Sequence, residues 1–125
     1  MQLDVAHAVV LRPGEGEVVA DEPERTLRIL ADRDELTLTW FRYAPGETGP
    51  DAHVHRRHSD SFYVVDGELE LGVGPEVQRM RGRAGTFVAA PPGVVHTFSA
   101  GPGRARLLNV HAPSTGFHDR LRELT

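Results

Sequence analysis

Two short segments of this 125-residue chain carry four side chains of metal-ligand type: His53, His55 and Asp60 in the first, His96 in the second. In an extended chain residues i and i+2 point to one side. His53 and His55 can therefore offer two imidazoles to a single ion while Val54 turns away. Asp60 stands at the expected start of the next strand, and His96 follows the turn Pro91-Pro92-Gly93. Three imidazoles and a carboxylate suit a divalent transition ion (iron, manganese, nickel, copper or zinc) and leave positions for water or substrate. Asp60 has a second reading, in which it hydrogen-bonds a ligand histidine instead of the ion. His58, in the intervening turn, is either a replacement ligand or a solvent-facing histidine. Arg56 and Arg57 read as a solvated charged turn.

Parity extends the site. Phe62 and Val64 share a face with Asp60, and Phe98 shares one with His96. Either they line an apolar pocket around the ion or they are ordinary core. Trp40 and Arg42 share a parity with each other. If that face looks over the ion, Arg42 is a clamp for a carboxylate or enolate; if not, it is an outer surface. His111 ends the last expected strand and is placed at the mouth of the site. His7 and His118 read as surface histidines.

These residues need a frame of short strands. Glycine (13) and proline (9) punctuate β-type runs along the whole chain, the pattern of a sandwich or barrel. Strands are expected over 5–11, 17–20, 25–30, 36–43, 53–56, 61–65, 68–73, 76–80, 85–90, 95–99 and 104–111. Leu36, Leu38 and Trp40 fall on one face of the fourth. Asp66-Gly67 reads as a hairpin turn. Only the tail looks helical, with Phe117, Leu121 and Leu124 at i, i+4 and i+7, a stripe expected to pack on the outside or against a partner. The expectation is one all-β domain over residues 1–125 with a short C-terminal helix.

Composition excludes several classes. With no cysteine, neither disulfides nor thiolate ligands are available. All 14 basic residues are arginine, which removes Schiff-base and lysine-base mechanisms. A net charge of −4 with scattered arginines argues against nucleic acid as partner. No apolar run reaches the length of a signal core or membrane span. A cytoplasmic location is expected.

The segment PGETGPDAHVHRRHSDSFYVVDGELEL resembles the first cupin motif, and GTFVAAPPGVVHTFSA resembles the second. Four residues separate His55 from Asp60, six separate Asp60 from Gly67, and five separate Gly85 from Pro91. Pro91, Gly93 and His96 fit without adjustment. The motifs span about residues 46–67 and 85–100. There are three departures: Asp60 stands where the family usually has glutamate, Ala100 where it has asparagine, and the leading glycine of the first motif is offset. The resemblance implies a cupin barrel, a double-stranded β-helix or jelly roll, with His53, His55, Asp60 and His96 around a metal. The ending HAPSTGFHDRLREL is similar to small single-domain cupins likened to quercetin dioxygenases. That implies a metal-dependent dioxygenase for an enolic, phenolic or diketone-like molecule, with Asp60 as ligand and proton acceptor. A non-catalytic binding module and a metal-dependent isomerase or cyclase are the alternatives. The family's habit of pairing implies a homodimer, to which the strand Val5–Leu11 would contribute.

Overall fold

A computed structural model describes the backbone of residues 2–5 and 8–123, and the side chains of 8–116 and 119–123. Nine strands and one helix follow in order: β1 (Gln2–Val5), β2 (Ala8–Leu11), β3 (Glu17–Asp21), β4 (Arg25–Asp32), β5 (Thr37–Tyr43), β6 (Ser59–Val73), β7 (Gln78–Arg83), β8 (Phe87–Ala90), β9 (His96–Ala112) and α1 (Phe117–Glu123). β1 and β2 form a small antiparallel ribbon. The other seven strands form one antiparallel sheet in the order β3-β4-β5-β9-β6-β7, with β8 added beside β6.

The frame rests on two long strands. β6 and β9 pair along almost their whole length, with register shifts between Val64 and Asp66 and between Gly67 and Leu69. Bulges of this kind bend a strand, so each long strand serves two walls. The first half of β6 pairs with β8 and the second half with β7. The inner faces meet in one apolar core, in which Leu27, Ile29 and Phe41 join Val64, Leu69, Leu71, Phe98 and Leu107.

Three sequence expectations are corrected. The expected strand 5–11 is instead a pair of strands running back on each other, with residues 6–7 outside those described. Asp66-Gly67 is not a hairpin turn but the bend inside β6. Gly67 has φ +79°, and a β-carbon there would lie 1.8 Å from the Arg104 carbonyl oxygen, so the close crossing of the two long strands requires glycine. The expected strands 95–99 and 104–111 are likewise one bent strand. On β5 the inward residues are Thr37, Thr39, Phe41 and Tyr43, all buried. Leu38, Trp40 and Arg42 form the outer face. The two threonines pair in register with His111 and Asn109, and Thr37 Oγ1 lies 2.7 Å from Ser114 Oγ.

The helix spans Phe117–Glu123, within the tail expected to be helical. Leu121 is buried and lines a cavity, where the stripe was expected to pack on the barrel's outside or against a partner. His7 and Leu124 lie outside the described residues, as do the side chains of Phe117 and His118.

Candidate metal centre

One turn and one backbone bridge bring the ligand-type residues together. At Pro91–Val94 the Val94 amide donates to the Pro91 carbonyl at 3.1 Å, with Pro92 and Gly93 (φ +87°) in the central positions, as a type II turn demands. The Gly93 amide then donates to the His55 carbonyl (2.8 Å), and His53 and His96 exchange backbone bonds of 3.0 and 2.9 Å. These three bonds tie one motif to the other. The expected strand at 53–56 is reduced to this single bridge between His53 and His96, yet the HxH pair still turns both rings inward.

The inward atoms crowd one point. His53 Nε2 lies 3.1 Å from His55 Nε2, and His96 Nε2 lies 2.8 Å from Asp60 Oδ2. His55 Nε2 and His111 Nε2 are 3.3 and 3.2 Å from the same carboxylate oxygen. The ligand atoms of His53, His55, Asp60 and His96 all lie within 4.8 Å of one another. The outer nitrogens are fixed by backbone carbonyls: His53 Nδ1–H donates to Asp51 O (2.8 Å) and His96 Nδ1–H to Val94 O (3.0 Å). A carbonyl only accepts, so each Nδ1 carries the proton and each Nε2 of a neutral ring turns its lone pair to the centre. Metal-bound histidines are held in this way.

This donor set fits a divalent transition ion. Separations of 3.1 Å between His53 and His55, 2.8 Å between His96 and Asp60 and 3.3 Å between His55 and Asp60 would let these residues share one ion. Lone pairs and a carboxylate packed so closely require a cation between them, either protons or a metal. Burial alone would raise the Asp60 carboxyl, but hydrogen bonds from His111, His55 and His96 outweigh it and hold the group well below the usual carboxylate range. Burial lowers His53 and His111, whereas for His96 the Asp60 carboxylate and the Val94 carbonyl reverse the effect of burial and raise it.

Asn109 completes the arrangement and was not anticipated from sequence. Its Nδ2 donates to Asp60 Oδ1 at 2.6 Å and to the Ser61 carbonyl at 3.0 Å. It lies two residues before His111 on β9 and so shares its face, the one signal in the sequence that pointed to it. His111 itself, expected at the mouth, is 1 % exposed and lies deep beside Asp60. His58 is also buried, not solvent-facing. Its Nδ1 lies 3.0 Å from Thr115 Oγ1, its ring stacks on His55, and with His55 and His111 it makes a second group of ligand type.

A cavity of about 440 Å³ opens over the centre. Leu27, Phe41, Tyr43, Phe98 and Leu121 wall it; His53, His55, Asp60, Asn109 and His111 lie at one end, and Arg25 and Arg120 also line it. Phe98 is thus on the cavity as expected. Phe62 and Val64 are buried on the face of Asp60 but belong to the core, and Phe62 meets the His96 ring edge-on. Trp40 and Arg42 do not reach the cavity. Trp40 packs under the Arg28 guanidinium on the outer face, and Arg42 binds Thr26 and the carbonyls of Glu22 and Pro23. The parity of β5 was right, and its inner face is the other one. Of the two alternatives for Trp40 and Arg42, the outer surface is the one observed.

Comparison with known proteins agrees with this picture. KdgF from Halomonas sp. superposes with a TM-score of 0.74 at 23% identity, over 86% of this chain and 96% of that one. An RmlC-like cupin from Shewanella frigidimarina gives 0.74 at 24% identity, over 86% and 93%. The polyketide cyclase RemF from Streptomyces resistomycificus gives 0.63 at 26% identity, over 81% and 70%. No curated protein matches the chain by sequence. Among the described residues no helix is long and apolar enough to cross a membrane. The family model for the cupin domain matches residues 39–111, which run from the inner face of β5 to His111, and the chain belongs to the cupin family.

Proposed function

We propose that this protein is a metal-dependent enzyme acting on a small organic molecule through an enol, phenol or diketone oxygen, with dioxygenase chemistry as the leading reaction. The observation that carries the reading is the convergence of His53, His55, Asp60 and His96 beside a cavity that Leu27, Phe41, Phe98 and Leu121 wall. Those four residues hold the ion, which when bound supplies Lewis acidity toward the substrate oxygen and a meeting point with O₂. The remaining work belongs to the chain. Phe41, Phe98 and Leu27 exclude water and fix the substrate's apolar body against the centre. Asn109 and His111 hold the Asp60 carboxylate in place. Asp60 serves as an anionic ligand and as the acceptor of the substrate hydroxyl proton.

The likeness to a polyketide cyclase favours a second reading, in which the same centre promotes proton transfer and ring closure without O₂. One experiment separates them. Metal-loaded protein is given a flavonol, a β-diketone and a catechol, with and without air. The dioxygenase reading predicts O₂ uptake in step with substrate loss and no turnover without air; turnover that persists without air favours isomerisation or cyclisation. Metal-loaded protein inert under both conditions contradicts both and leaves a binding module. We further propose a homodimer. On the outer face of the sheet Trp40, Leu108, Tyr63 and Phe87 are successive cross-strand neighbours, an apolar row for a second copy to cover. Sedimentation at monomer mass would contradict it.

A further inference from the structure

The cavity has a second polar end. Arg25 opens β4 and pairs in register with Tyr43, which pairs with Ala105. At the metal end of the same strands, His111 pairs with Thr37. Ala105 and His111 are six residues apart on β9, about 20 Å of strand. Both Arg25 and Tyr43 line the cavity.

Two features of this end call for an anion. Arg25 is half-buried, and among the described residues no carboxylate pairs with its guanidinium. A cation taken partly out of water without a counter-charge is costly. Beside it, the Tyr43 phenol is pushed up to about 12 by burial, with Arg25 opposing and Glu47 adding to the effect. It is therefore an O–H donor at neutral pH, and among the described residues it makes no hydrogen bond. Glu47 accepts the Thr48 amide at 3.1 Å. Asp60 is the one acidic residue among those lining the cavity, and it is engaged at the opposite end. Arg120, which also lines the cavity, lies toward His58 and the metal end. A planar guanidinium with one adjacent hydroxyl matches a carboxylate.

We propose that Arg25 and the Tyr43 hydroxyl bind a carboxylate of the molecule held at the metal centre, so that the substrate is an elongated apolar acid with its reacting oxygen at the His53–His55–Asp60–His96 end. The reacting end rests on the function proposed above; the carboxylate end rests on Arg25 and Tyr43 alone. The Phe98 and Phe41 rings between the two ends suit a flat, aromatic body.

The test uses two probes of equal shape, 4′-hydroxybiphenyl-4-carboxylate and 4′-hydroxybiphenyl-4-carboxamide, titrated calorimetrically into metal-loaded and metal-stripped protein. The carboxylate is expected to bind the parent at least about tenfold more tightly than the amide, the strength of a charge-assisted pair. Arg25→Gln should abolish that preference while leaving metal content and melting temperature at the parent's values. Arg25→Lys should keep part of it, and Tyr43→Phe should weaken it several-fold. A carboxylate preference that survives in Arg25→Gln, or equal binding of both probes to the parent, overturns the assignment, as does failure of the carboxylate probe to bind metal-loaded parent. If the protein takes up no metal but the preference remains and depends on Arg25, the assignment of Arg25 stands and the metal reading fails.

Discussion

Replacing Asn109 by alanine should weaken both the fold and the metal centre without touching any ligand. One side-chain nitrogen makes two buried bonds, 2.6 Å to Asp60 Oδ1 and 3.0 Å to the Ser61 carbonyl. A hydrogen bond to a charged group and one to a neutral carbonyl are together worth about 3 kcal/mol. The carboxylate that loses its donor is 2 % exposed, so water does not replace the bond freely. For a chain of this size the loss corresponds to a fall of about 10 °C in Tm. Releasing one oxygen of Asp60 also lets the carboxylate turn away from His96, and losses of support of this kind lower metal affinity about 10- to 100-fold. Differential scanning calorimetry of the metal-free protein reads the first effect, and competition with a chelator reads the second. Asn109→Leu, which keeps the volume but not the donor, should behave like the alanine variant. Unchanged Tm and metal affinity within about twofold in both variants would refute the claim that Asn109 positions Asp60.

Two further outcomes follow from the buried histidines and from the bend in β6. Burial, with His111 and His55 adding to it, lowers His58 from 6.5 to about 4, so as pH falls the unfolded chain takes up this proton before the folded one does. Stability is then fully present above about 6.5 and is lost between there and about 4, a change of about 3 kcal/mol at the lower limit; His53 and His111 act in the same direction and the raised His96 in the other. Urea midpoints of metal-free protein should fall across that window, and a flat profile would contradict it. Gly67→Ala should cost about 3 kcal/mol or more, because the new β-carbon meets the Arg104 carbonyl at 1.8 Å, whereas Gly85→Ala, also at positive φ (+94°) but with nothing within 4 Å, should cost about 1 kcal/mol; equal melting temperatures would refute the close crossing.

The sequence made the cluster of His53, His55, Asp60 and His96 legible because its spacing follows from local geometry. His53 and His55 needed only alternation, and Pro91, Gly93 and His96 needed only a turn. What it hid depends on distant pairing. Nothing local distinguishes Asp66-Gly67 as a bend from the same dipeptide as a hairpin; the difference is that β9 accompanies β6 past it on both sides. The inner face of β5 stayed open between two alternatives because the wall near the centre carries Thr37 and Thr39, while apolar Leu38 and Trp40 look outward. Arg25 and Leu121 reach the cavity from strands and a helix whose placement no local pattern fixes. His58 reads as a turn residue from its neighbours, and only the arrival of Thr115 from the other end of the chain buries it.

The central claim is that His53, His55, Asp60 and His96 form a metal centre, and metal content tests it most directly. Untagged protein and its Asp60→Ala variant are purified side by side and analysed by mass spectrometry for iron, manganese, nickel, copper and zinc. The account predicts near-stoichiometric metal in the parent and its loss in the variant. No metal in the parent, even after reconstitution with each of these ions, would contradict it.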